Sequence, residues 1–160
     1  MYNESWLLAD AIRNKHTADA LSSTNVTFAA PHSERDEISE IFPRRLEEAK
    51  SKLLELLKLP ENWDSYGAHP IKLEAAVAAF ELIALLMEDQ TPMPSIIPTP
   101  KGNIQLEWHT RGIDLEIEVV SSTLLHVYYE DIVKNEEKEN TLHTDLRELT
   151  KLITRLSERS

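Results

Sequence analysis

The sequence predicts an α+β fold: helices packed on one face of a small three- or four-stranded antiparallel sheet (a meander), with a C-terminal helix. Three observations predict it. Apolar residues recur with helical period through residues 43–57 and 73–89, apolar and polar residues alternate strictly across 104–119, and the helical period returns after residue 144. A helix with one apolar stripe and a sheet with one apolar face each need a partner layer, so these segments are expected to bury against one another.

Residues 5–21 place Leu8, Ile12 and Leu21 at roughly helical intervals behind Trp6, and the following SSTNVTFAAPHS is rich in small, turn-forming residues. Residues 1–32 are therefore expected to be an N-terminal helical arm and linker, and residues 33–160 a single α+β domain. A chain of 160 residues suits one domain with a substantial core.

Ser33 offers an N-cap ahead of acidic residues, which suits a helix start. Pro43 predicts a stop or kink around Ile41 and Phe42, then a fresh helix with the proline in its first turn. Leu46, Ala49, Leu53, Leu56 and Leu57 fall on one stripe of that helix, with Glu47, Glu48, Lys50, Lys52 and Glu55 mostly outside it.

The loop ENWDSYGAHP lies between Pro60, which ends this helix, and Pro70, which opens the next. Asp64 is expected to bond backbone amides two residues on as an Asx turn, and Gly67 to take a positive φ. Trp63 and Tyr66 are expected to plug the gap between helices and sheet. An acid/base role for Asp64 and His69 is the alternative, but their five-residue spacing in a loop fixes no geometry. The segment LEAAVAAFELIALLMED, residues 73–89, is apolar almost all round and reads as the central helix, covered on most sides.

Pro92, Pro94, Pro98 and Pro100 exclude helix and allow an edge strand at residues 95–97. Ile104, Leu106 and Trp108 then share one strand face, as do Ile113, Leu115, Ile117 and Val119, with TRG between them as a hairpin turn. A third strand is expected at about residues 123–129, and the charged residues 130–140 as a solvated loop or frayed strand end. Leu146, Leu149, Ile153 and Leu156 mark the last helix.

Composition narrows the function. A formal charge of −11 argues against direct nucleic-acid binding, which needs basic surface, and favours a partner protein with a basic surface. No cysteine is present, which excludes thiol nucleophiles and thiolate metal sites. No apolar run approaches the ~20 residues that span a bilayer, so no membrane association is expected. The first residues lack the basic start and apolar core of an export signal, so a cytoplasmic location is expected. The three glycines, Gly67, Gly102 and Gly112, form no phosphate loop, and the six histidines show no helical ligand spacing, so no cofactor is expected. No catalytic or metal-ligating residue is assigned on that basis.

The polar face of the hairpin carries Gln105, Glu107, His109, Asp114, Glu116 and Glu118. If Thr110 pairs with Ile113, His109 lies opposite Asp114 and Glu107 opposite Glu116, gathering the groups an acid/base or hard-metal site needs. A sheet with one buried face also shows an alternating polar face for no further reason. Docking of a basic partner ranks above metal binding here. Arg147, Lys151, Arg155 and Arg159 form a basic ridge on the last helix, a solvated face or one lying across the protein's own acidic segments.

NWDSYGAHPI, an apolar helix, and then IIPTPKGNIQLEWHTRGIDLEIEV together resemble small bacterial proteins of unknown function. These carry a W-D-x-Y-G-A loop upstream of a P-T-P-x-G-x-I-Q-L-E-W β-hairpin. The resemblance covers about residues 60–120; Ser65 stands where such proteins often have Gly, and Lys101 where they often have Asp. It implies a scaffold and brings no activity with it. The function expected is that of a non-enzymatic, cytoplasmic bacterial protein that binds another protein: antitoxin-, immunity- or inhibitor-like, or a small subunit of a defence complex. Trp6, Leu7 and Leu8 in the arm and Glu107, Asp114 and Glu116 on the sheet are the expected partner-binding residues, with Trp63, Asp64, Tyr66 and Gly67 as a structural loop. The alternatives are a metal-dependent hydrolase or nuclease using Glu107, His109, Asp114 and Glu116, and an acidic mimic of nucleic acid.

Overall fold

The alternating segments pair into one antiparallel sheet. In the computed structural model, which describes residues 34–143 and 145–158, the strands are β1 Ser95–Pro98, β2 Ile104–Thr110, β3 Ile113–Ser121, β4 Leu124–Asp131 and β5 Glu136–Leu142. They lie in chain order, each hydrogen-bonded to the next. The helices are α1 Glu34–Leu56, α2 Leu73–Leu86 and α3 Arg147–Glu158. No helix among the described residues is long and apolar enough to cross a membrane.

Period two decides which side of the sheet is buried. Ile104, Leu106, Trp108, Ile113, Leu115, Ile117, Val119, Leu125, Val127 and Tyr129 all point to one face, and each is at most 4% exposed. Ala49, Leu53 and Leu56 from α1, six residues of α2, and Leu149, Leu152, Ile153 and Leu156 from α3 complete the same core. The helices thus form one layer and the sheet the other, with α2 over β2 and β3. Arg45 of α1 donates to the carbonyls of Asp89 (2.9 Å) and Thr91, tying α1 to the chain beyond α2.

The sheet has five strands rather than three or four. Residues 130–140 are not a solvated loop: EEKENTL forms β5, a strand without apolar alternation. Its formation rests on backbone geometry, because the turn before it is fixed by Asp131, a buried carboxylate at the end of β4. Asp131 Oδ1 accepts from the amides of Val133 (3.1 Å) and Lys134 (3.0 Å), and Asn135 takes φ 51° to reverse the chain. Charged side chains on an outer strand also discourage further pairing at that edge.

Pro43 does not end a helix; α1 runs through it without interruption. Proline removes one donor and crowds one carbonyl, at about 3 kcal/mol in a helix interior, and α1 carries that cost within its 23 residues. The central helix α2 ends at Leu86, and its cover is one-sided: Leu73, Val77 and Leu85 are exposed.

The loop before α2 is built as its residue types dictate, with one exception. Asp64 Oδ1 accepts from the amides of Tyr66 (2.8 Å) and Ala68 (3.0 Å), and Gly67 adopts φ 95°. Ser65 takes φ 66°, a left-handed conformation in which glycine is less strained. Trp63 is half-buried and its indole N–H donates to the His69 carbonyl (3.1 Å). Tyr66, however, plugs nothing: it is 94% exposed, and the small buried residue beneath the loop is Ala68. The Asx turn points the Tyr66 side chain outward, and the gap left is one that alanine fills.

This loop is fastened to the one that precedes β2. The His69 amide donates to Pro100 O (2.9 Å), the Lys72 amide to Gly102 O (2.8 Å) and Lys72 Nζ to Asn103 Oδ1 (3.0 Å). Gly102, at φ 77°, lets the backbones close: a Cβ there would lie 2.5 Å from Pro70 O. Asn103 Nδ2 in turn donates to Glu118 Oε1 (2.8 Å) on β3, carrying the connection to the other face of the sheet.

Candidate functional site

The face of the sheet turned away from the helices is the candidate site. Thr110 pairs with Ile113, so His109 faces Asp114 and Glu107 faces Glu116. Following the registers outward gives three cross-strand rows. One is His109, Asp114, Glu130 and Glu137; the next is Ser95, Glu107, Glu116, Tyr128 and Glu139; the third is Ile97, Gln105, Glu118, His126 and Thr141. Seven carboxylates and two imidazoles share this face, and among the described residues no Lys or Arg occupies any of these row positions.

Like charges opposite one another on a sheet repel, and neighbouring side chains moderate this. Gln105 Nε2 donates to Glu107 Oε1 and to Glu116 Oε2, both at 2.9 Å, so one amide holds the facing pair together. Tyr128 Oη donates to Glu130 Oε2 (3.2 Å) and Glu137 Oε1 (3.4 Å). Desolvation, followed by the charges of Glu130 and Glu137, pushes the Tyr128 phenol up to about 12, so it remains a donor. His109 sits between two acids, with Nδ1 3.0 Å from Asp114 Oδ1 and Nε2 3.3 Å from Glu107 Oε2. The hydrogen bond to Asp114, then that to Glu107, raises its pKa above the ordinary 6.5. Glu107 is the most sheltered of the three, at 19% side-chain exposure against 34% for Asp114 and 52% for His109. One ligand atom each from Glu107, His109 and Glu116 lie within 4.8 Å of one another.

The other sequence candidates are placed differently. Trp6, Leu7, Leu8, the 1–32 arm and Arg159 lie outside the described residues. Asp64 serves the backbone of its own loop, and His69 Nδ1 meets Glu61 Oε1 (3.2 Å), so the two form no acid/base pair. The backbone amides that Asp64 accepts from hold its carboxyl below the ordinary 3.8. Within the basic ridge, Arg147 chelates Asp145, whose carboxyl falls to about 2. Arg155 reaches Glu136 Oε2 (3.2 Å) on β5 and lies over the Tyr129 ring, 5.9 Å from its centroid. The ridge therefore lies partly across the protein's own acids.

Sequence reasoning stopped at the β2–β3 hairpin and missed His126, Tyr128, Glu130, Glu137 and Glu139. The β4 residues carried a usable signal, since His126, Tyr128 and Glu130 alternate with buried Leu125, Val127 and Tyr129. The β5 residues carried none, because a strand with Leu142 as its one apolar residue has no hydrophobic period to read.

No family model matches the chain, and no match to it is found among curated proteins or solved structures.

Proposed function

We propose that this protein binds a basic partner protein through the open, acidic face of its sheet. The observation that carries the reading is charge segregation: seven carboxylates occupy the three rows, with no Lys or Arg among those positions. A carboxylate-rich face above a low-dielectric core focuses field outward, raising the encounter rate with a cationic surface and rejecting anionic ones. Nucleic acid is disfavoured on the same ground, since its phosphates would meet carboxylates. Several of these acids, Glu107, Asp114, Glu116, Glu118 and Glu130, are already half-buried, so part of their desolvation is met before a partner arrives.

In this reading the protein is a non-enzymatic, cytoplasmic bacterial binder, antitoxin-, immunity- or inhibitor-like, or a small subunit of a defence complex. It stands with the small bacterial proteins that share its W-D-x-Y-G-A loop and P-T-P-x-G hairpin. The interlocked loops are the supporting scaffold, and the segment around Trp6, Leu7 and Leu8 adds a second contact.

The test is affinity capture from a bacterial host using the full chain and a Glu116→Gln, Glu130→Gln, Glu137→Gln variant, followed by measured affinity for the protein retained. The wild type is expected to hold a basic protein with an affinity that falls as salt rises, and the variant to lose it at least about tenfold. Retention by the variant at wild-type affinity refutes the sheet face. Removal of residues 1–30 separates the arm's contribution: unchanged capture removes the arm from the reading and leaves the face.

A further inference from the structure

We propose that Glu107, Glu116 and the Nε2 atom of His109 form a site for a divalent first-row transition metal, with zinc the best fit. The proposal is independent of partner docking, since it concerns three side chains and not the charge of the whole face.

The geometry is assembled by the register. Glu107 and Glu116 are directly opposed across β2 and β3, and His109 lies two residues along the same face of β2. Gln105 Nε2 engages one oxygen of each carboxylate, Glu107 Oε1 and Glu116 Oε2, leaving the second oxygen of each for another partner. His109 Nε2 is directed at Glu107 Oε2, 3.3 Å away. One ligand atom from each of the three side chains lies within 4.8 Å of the other two. Zinc bonds of about 2.0–2.2 Å place ligand atoms roughly 3–3.6 Å apart, so side-chain rotations of about an ångström close the site.

The surroundings of the imidazole point the same way. Asp114 Oδ1 lies 3.0 Å from His109 Nδ1, the ring nitrogen opposite the one that meets Glu107. A carboxylate holding the far nitrogen of a ligating histidine fixes the tautomer that leaves Nε2 free to bind, and makes that nitrogen a better donor. No Lys or Arg stands at the row positions of this face among the described residues, so His109 is the one basic side chain beside the opposed glutamates in these rows.

The donor set selects the metal. One imidazole and two carboxylates suit zinc or manganese. Calcium takes six to eight oxygens, and magnesium keeps most of its waters and seldom takes nitrogen. Three protein ligands leave one position open to water or to a group carried by a docked partner.

The test is calorimetric titration of the full chain with zinc, manganese, magnesium and calcium chlorides, alongside Glu107→Gln, His109→Gln, Asp114→Asn and Glu139→Gln. Zinc is expected to bind one-to-one with micromolar affinity and calcium and magnesium much more weakly. Glu107→Gln and His109→Gln should each weaken zinc at least about tenfold, with Asp114→Asn at or below that effect. Glu139→Gln, an exposed acid on the same face but outside the triad, should leave the zinc affinity unchanged. Absence of zinc heat at millimolar metal overturns the site. Equal weakening by Glu139→Gln and Glu107→Gln overturns it too, since that marks diffuse attraction to an acidic face, and so does zinc binding unaffected by His109→Gln, which places the ion on another histidine. Near-isosteric Glu107→Gln, checked by circular dichroism, keeps the test decisive if His109→Gln fails to fold.

Discussion

Gly102→Ala probes the fastening between the two loops that flank α2 and β1. The new Cβ lies 2.5 Å from Pro70 O, a backbone atom that cannot turn aside, and the residue must hold φ 77°. Left-handed backbone costs a non-glycine residue about 1–2 kcal/mol. Relieving the contact means separating the loops, which weakens His69 N–H to Pro100 O and Lys72 N–H to Gly102 O. Each such bond contributes about 0.5–1.5 kcal/mol net. The expected loss is therefore about 2–5 kcal/mol. Gly67→Ala supplies the reference, because Gly67 also has positive φ (95°) but a Cβ there meets nothing within 4 Å. It should cost about 1–2 kcal/mol, the backbone term alone. Urea unfolding followed by circular dichroism measures both, and with slopes of about 1–3 kcal/mol per molar urea the two midpoints should separate clearly. If the two variants agree within about 0.5 kcal/mol, the close approach at Pro70 has no energetic weight and the reasoning fails.

Pro43→Ala should stabilise the protein by about 1–3 kcal/mol, because α1 continues through this exposed position and alanine restores the missing amide; a lower urea midpoint would show that the proline's geometry is required. Asp131→Ala should cost about 2–4 kcal/mol, removing acceptors for the Val133 and Lys134 amides and for Tyr129 Oη, with amide exchange in β5 rising first. Protection of β5 equal to wild type would refute the claim that its turn sets the strand. Asp64 and Asp145 both titrate below the ordinary carboxylate value in the folded chain, so each contributes stability that is full above its unfolded pKa and is lost as pH falls through the folded one. Stability should decline from about pH 4 towards 2, with a shallower slope for Asp64→Asn; an unchanged slope in that variant would remove the Asx turn from the account.

Period carried most of the fold into view. β2 and β3 could be placed residue by residue because Ile104 to Trp108 and Ile113 to Val119 alternate without a break, and α3 because Leu149, Ile153 and Leu156 keep a helical interval. β5 was illegible for the opposite reason: Glu136 to Thr141 is polar on both faces, and its position is decided by a turn and by β4, neither of which leaves a mark in those residues. Proline misled at residue 43 because its local cost was read as a stop, whereas α1 runs through it. Tyr66 misled because side-chain size suggests burial, whereas direction is set by the Asx turn. For the site, His109 opposite Asp114 followed from the turn register alone, while the span of the acidic face needed all five strands.

A chain without cysteine must restrain its long excursions by other means. The stretch between His69 and Gly102 contains α2 and β1 and is tied at its base by the paired backbones of the two loops. This is a staple made of hydrogen bonds, closing a loop whose ends would otherwise wander at an entropic cost that grows with the logarithm of its length. Unlike a disulfide it can reopen on its own, and when it does, the approach to α2 and the turn from β1 into β2 loosen at the same moment. The two loops then open or close together, with the reducing state of the compartment having no say in which.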